Sequence, residues 1–69
     1  MPWREAFREM MFNNRRIRRR EWDLEKYWAW EGETIMIHLP NGDMMDIRGT
    51  DNVAYTFFNI ASDDWEIIE

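Results

Sequence analysis

The residue types best suited to recognising a ligand cluster at positions 15–22, Arg-Arg-Ile-Arg-Arg-Arg-Glu-Trp. Guanidinium groups present a planar fork of donors that matches the oxygens of phosphate or carboxylate two at a time. On a strand the side chains alternate, so Arg16, Arg18 and Arg20 share one face while Ile17 and Arg19 share the other. Trp22 follows directly, and Trp28 and Trp65 add two more flat rings. Arginine for phosphate and tryptophan for a base is the combination a nucleotide needs. The same residues have a plain structural use: the arginines as the charged guard of a sheet edge, the tryptophans as core. Twelve acidic residues lie beyond position 20 and would repel a polyanion, which argues against nucleic acid.

Catalytic groups are few. His38 is the single histidine, and there is no cysteine. Asp63, Asp64 and Ser62 stand together but form no nucleophile, base and orienter set, and Asp63 reads as a turn or cap residue. His38 is assigned to a surface, an interface or a ligand contact. It lacks companions at metal-ligand spacing, and with no thiolate available neither a metal nor another cofactor is expected. Gly32, Gly42 and Gly49 are scattered, which excludes a glycine-rich phosphate loop. The chain is expected to bind rather than to catalyse.

The elements that must position these groups follow from periodicity. Trp3, Ala6, Phe7, Met10 and Met11 fall on one stripe of a 3.6-residue repeat, with Pro2 at the first turn and Asn13-Asn14 as the stop. Residues 16–21 are expected as a strand, residues 23–26 as a turn, and residues 27–30 as a strand with Trp28 and Trp30 on one face, broken by Gly32. Residues 34–39 form the clearest strand. Pro40-Asn41-Gly42 is expected as a three-residue bulged turn that pairs Leu39 with Asp43, Ile37 with Met45 and Ile35 with Ile47. This register sets apolar against apolar and sends Thr34, Met36, His38, Met44, Asp46 and Arg48 to the other face. Thr50 or Asp51 would cap a helix whose stripe is Val53, Ala54, Phe57, Ile60 and Ala61. Residues 62–64 break it, and residues 65–68 close as a strand. The expected fold is α+β: a small antiparallel sheet, an N-terminal amphipathic helix, and a second short helix before the C-terminal strand.

Residues 1–69 are read as a single domain, since a chain this short supports one thin core. Eleven aromatics are more than such a core hides easily, and the remainder point to self-association or a ligand. Charge supports the same expectation. Residues 1–20 hold seven arginines and two glutamates, +5, and residues 21–69 hold two cations and twelve acids, −10. A homo-oligomer joined basic patch to acidic patch, or capture of an anion, would use that split; two solvated faces of one domain would also show it. No signal-peptide pattern and no apolar run near the ~20 residues of a membrane span are visible, so the expected location is the cytoplasm and no membrane partner is expected.

Both ends of the chain resemble a known family. A short amphipathic helix leads into Arg16-Ile17-Arg18-Arg19-Arg20-Glu21-Trp22, and the C-terminus runs Phe57-Phe58-Asn59-Ile60-Ala61-Ser62-Asp63-Asp64-Trp65-Glu66-Ile67-Ile68. This is similar to the small phage counter-defence proteins that include anti-Thoeris nucleotide sponges and a type II anti-CRISPR. The resemblance implies an oligomeric α+β protein of the host-cell cytoplasm. It would hold a cyclic nucleotide or cyclic ADP-ribose-type signal between protomers without cleaving it, or else inhibit a host defence protein directly. Carried over by position, Trp22 and its neighbouring arginines would lie near the pocket, and Trp65 near it or in the core. The chain departs from the family in its compact block at 27–48 and in having Glu21 where glycine commonly precedes the first tryptophan.

Overall fold

The computed structural model describes residues 1–68. Helix α1 (Trp3–Asn13) begins after Pro2 and ends at Asn14, which takes the left-handed conformation (φ 55°). Four of the five residues of the expected stripe face inward: Ala6 and Met10 are fully buried, and Trp3 and Phe7 lie over the sheet against Trp28, Trp65 and Trp30 at ring distances of 5.2–5.9 Å, while Met11 is half-buried to one side of the core.

Five strands follow: β1 (Arg16–Arg19), β2 (Tyr27–Glu31), β3 (Thr34–His38), β4 (Met44–Asp46) and, after helix α2 (Val53–Ala61), β5 (Trp65–Ile68). They form one antiparallel sheet in the order β4-β3-β2-β1-β5. This is the small α+β fold expected, with a helix at each of the expected places. Among the described residues no helix is long and apolar enough to cross a membrane.

The β3–β4 hairpin has the bulged turn. The Leu39 N–H donates to the Asp43 carbonyl (2.9 Å), the Gly42 N–H to the Leu39 carbonyl (3.0 Å), and Gly42 sits at φ 93°. Ile37 pairs with Met45. The expected partnership of Ile35 with Ile47 does not form as a ladder pair. The Asp46 carboxylate accepts the Arg48 N–H (2.9 Å) and winds residues 47–49 into a 3₁₀ turn. Ile47 still packs on the core, while Met45 remains 39% exposed and Arg48 leaves the sheet to pair with Asp46. The β2–β3 hairpin turns on Gly32 and Glu33, both near φ 62°, the signature of a type I′ turn.

Two further expectations change in the elements' bounds and caps. β1 stops at Arg19 rather than Glu21, because residues 20–22 turn: the Trp22 N–H donates to the Arg19 carbonyl (3.1 Å). The cap of α2 is Asn52, whose Oδ1 accepts the Tyr55 N–H (3.0 Å); Thr50 is occupied with the Asn52 N–H instead.

Register assigns the faces. Ile17, Trp28, Ile37 and Trp65 are paired or alternate onto one side, which carries α1 and α2 and the buried core. Arg16, Arg18, Tyr27, His38 and Met44 alternate onto the other side. Among the described residues, no helix covers that side.

Candidate functional site

The candidate ligand residues divide between the two faces. Trp22, Trp28 and Trp65 meet on the inner side, with ring centroids 5.0–5.6 Å apart. Trp28 and Trp65 are 1% exposed, and the Trp65 Nε1–H donates to the Asn59 carbonyl (3.0 Å). One side of the half-buried Trp22 carries the Lys26 ammonium at 4.6 Å. The three rings are packed against each other and offer no paired stacking slot.

Arg18 is fully engaged on the outer side. Its Nε and Nη2 reach Glu66 (2.8 and 2.7 Å), and Nη1 donates to the Trp22 carbonyl (2.6 Å). Arg20 is exposed and stands 3.8 Å from Glu66. Exposed Arg16 lies over the Tyr27 ring at 5.2 Å. Tyr27 also stacks on His38, 4.3 Å away and nearly parallel, and His38 Nε2 is 2.8 Å from a Glu31 carboxylate oxygen. The structure therefore brings Arg16, Arg18 and His38 onto one open face with Tyr27. It does not place Trp22, Trp28 or Trp65 beside them.

A second cluster was not visible from spacing. Arg19 is 6% exposed. Its Nε and Nη2 bond the two carboxylate oxygens of Asp64 (2.8 and 3.2 Å), Nη1 donates to Asn59 Oδ1 (2.8 Å), and Nη2 lies 2.7 Å from Glu21. Asn59 is completely buried. The Asp64 hydrogen bonds and charge raise the Arg19 guanidinium further above its ordinary range, against the opposing effect of burial. The same bonds hold the Asp64 carboxyl below its own ordinary value. Tyr55 is perturbed too: burial pushes its hydroxyl up, but hydrogen bonds, led by one from Lys26 Nζ (2.8 Å), carry it below its ordinary value.

This network decides how α2 lies. Arg19 requires acceptors, and Asn59 with Thr56 forms the polar side of α2, so that side turns inward. The apolar stripe expected to join the core points outward instead. Val53 is 53% exposed, Phe57 65% and Phe58 62%, with Ala54 and Ala61 exposed among them; of the expected stripe only Ile60 packs on the core. Leu24, 77% exposed, lies in the loop tied to α2 through Lys26 and Tyr55. Glu21, Asp23, Glu25, Asp51 and Asp63 are the exposed acids of that loop and of the helix flanks. α2 is apolar round most of its circumference, so periodicity alone could not choose its inner side; the pair Thr56 and Asn59 was the available signal.

Two concavities stand out, neither of them on the open sheet face. Beneath α2, between Lys26, Trp28, Leu39, Met45, Tyr55 and Thr56, lies a cavity of about 130 Å³. That is below the ~300 Å³ at which small-molecule pockets commonly begin. A shallow depression of about 540 Å³ runs along the outer side of α1 past Arg4, Arg8 and Phe12. Compared with protein-family models, with curated proteins and with solved structures, the chain matches none.

Proposed function

We propose that this protein is a non-enzymatic interaction module that docks on another protein through the outward apolar side of α2. The observation that carries the reading is the inverted helix. Asn59 is held inside by Arg19, and the two phenylalanines are largely exposed, Phe58 with the Arg19 guanidinium 5.3 Å from its ring. Exposed contiguous apolar surface on a small protein is characteristic of interaction sites, and amphipathic helices are a recurrent recognition element. In the counter-defence setting implied by the family resemblance, such a module would act as a direct inhibitor of a host defence protein.

Capture of a nucleotide signal is the second reading. What favours it is the open sheet face, where Arg16 lies over the Tyr27 ring of the Tyr27–His38 stack. Neither the 130 Å³ cavity beneath α2 nor the depression on α1 includes Arg16, Tyr27 or His38, so on this face the reading needs a pocket completed by another protomer.

One assay separates the two. The chain would be expressed in bacteria carrying either a Thoeris-type or a type II CRISPR defence, and phage plating measured. Under the docking reading, Phe57→Asp and Phe58→Asp abolish counter-defence while Arg16→Ala and Arg20→Ala retain it. Under the nucleotide reading the arginine variants fail, and calorimetric titration of the wild type with cyclic dinucleotides and cyclic ADP-ribose isomers gives binding. A wild type inactive against both defences removes the counter-defence setting.

A further inference from the structure

The cavity beneath α2 belongs to neither reading, yet its lining has the make-up of a binding site. Trp28, Ile37, Leu39 and Met45 give it apolar walls. Its volume of about 130 Å³ is close to the ~150 Å³ of an apolar cavity that takes up benzene. Lys26 is the one charged residue on the lining. Its ammonium donates to the Tyr55 hydroxyl (2.8 Å), and the exposed Tyr55 and Met45 mark the mouth. An ammonium has three donors, of which that hydroxyl takes one. The second polar group lies inside. Trp28 is 1% exposed, and among the described residues its Nε1–H meets no acceptor. A buried donor in that state is rare, because it has lost its water and gained nothing in return. Water is a poor remedy between apolar walls, since a buried water needs about three polar partners. The two threonine hydroxyls of the lining are engaged with Asn52: Thr50 Oγ1 accepts its N–H (3.3 Å), and Thr56 Oγ1 donates to its carbonyl (3.1 Å).

We propose that this cavity binds a small monocarboxylic acid whose apolar body is about the size of benzene. The body lies among Trp28, Ile37, Leu39 and Met45, and the carboxylate takes the Trp28 N–H and a donor of Lys26. Each part of that class answers to an observation. The volume admits one ring or a short branched chain. Apolar walls disfavour a sugar or any other polar body, which would lose its hydrogen bonds to water there. The single charge on the lining is positive, so the head group is anionic. A carboxylate has lone pairs enough to accept from an ammonium and an indole N–H at once. The site is separate from the outward side of α2, since neither Phe57 nor Phe58 lines it. A ligand with so few atoms binds weakly, in the high micromolar to millimolar range.

Titration of isotope-labelled protein with benzoate at constant ionic strength, followed by NMR on the indole N–H resonances, tests this. Binding should be saturable, and the Trp28 indole proton should move furthest and downfield, as a donor does on gaining an acceptor. Benzyl alcohol, a ring of the same size without the charge, should bind about tenfold more weakly. Lys26→Met should weaken benzoate about tenfold and leave benzyl alcohol unaffected, with circular dichroism showing an intact fold. Tyr55→Phe removes the other partner of the ammonium but keeps the charge. It should bind benzoate as wild type does, which separates loss of the cation from loosening of α2. Phe57→Asp should also bind as wild type does, so this titration and the phage assay fail independently. No saturable movement of the Trp28 indole proton at about 10 mM benzoate overturns the site. Equal binding of benzoate and benzyl alcohol, with Lys26→Met without effect, overturns the carboxylate as the recognised group.

Discussion

Arg19 and Asn59 set the polarity of half the molecule. Each is inside, each is bonded to the other, and Asp64 completes the pair of acceptors. Arg19→Ala leaves Asn59 Oδ1 without its donor and Asp64 without its bidentate cation. A cost of about 2–4 kcal/mol is expected in urea titration. The lower end applies because Asp64 keeps 28% of its side chain in solvent. A change below about 0.5 kcal/mol would mean that the network does not hold α2. The Asp64 carboxyl, held below its ordinary value by Arg19, also gives a pH signature. Its contribution is complete above the unfolded-state pKa of about 3.9 and is lost as pH falls through the lower folded value. The stability difference between wild type and Asp64→Asn should therefore be constant near neutrality and narrow on acidification below about pH 4. A difference that widens on acidification contradicts the pairing.

At the scale of elements, most of the fold could be read from local rules. The stripe Trp3, Ala6, Phe7 and Met10 is the buried side of α1, and Asn14 stops the helix because asparagine tolerates the left-handed conformation. The β3–β4 register was legible because the bulged turn sets Ile37 against Met45, whereas a two-residue turn would set it against Asp46. Gly42 lies at φ 93°, and a methyl group in place of its hydrogen would meet no atom within 4 Å, so Gly42→Ala is a purely conformational change. It should lower stability by about 1 kcal/mol, and an unchanged urea midpoint would argue against the bulged turn. What local rules missed has a shared cause. β1 ends early, Ile47 leaves the ladder and α2 is rotated where side chains make the deciding bonds: Arg18 to the Trp22 carbonyl, Asp46 to the Arg48 N–H, and Arg19 to Asn59. The candidate site suffered most. Trp22 and Arg18 are near neighbours in sequence, yet the turn at 20–22 sends the ring inward while Arg18 stays outside on Glu66.

For the whole molecule, one sheet separates two surfaces of different character. The covered side ends in an apolar, acid-rimmed helix, and the open side carries arginine, tyrosine and histidine. Among the described residues the core cluster holds seven buried hydrophobics, thin for a chain with eleven aromatics, and an apolar helix left in solvent gives further burial a place to occur. The docking face depends on α2 facing outward with its phenylalanines. Urea unfolding of Phe57→Asp beside Asn59→Leu, at a protein concentration low enough to keep the chain monomeric, tests that orientation most directly. Phe57→Asp should change stability by no more than about 0.5–1 kcal/mol, as an exposed site does. Asn59→Leu should cost about 2 kcal/mol or more by stranding the Arg19 donor. The reverse order, with Phe57→Asp costing the ~3–5 kcal/mol of a core phenylalanine and Asn59→Leu tolerated, would contradict the outward orientation of α2.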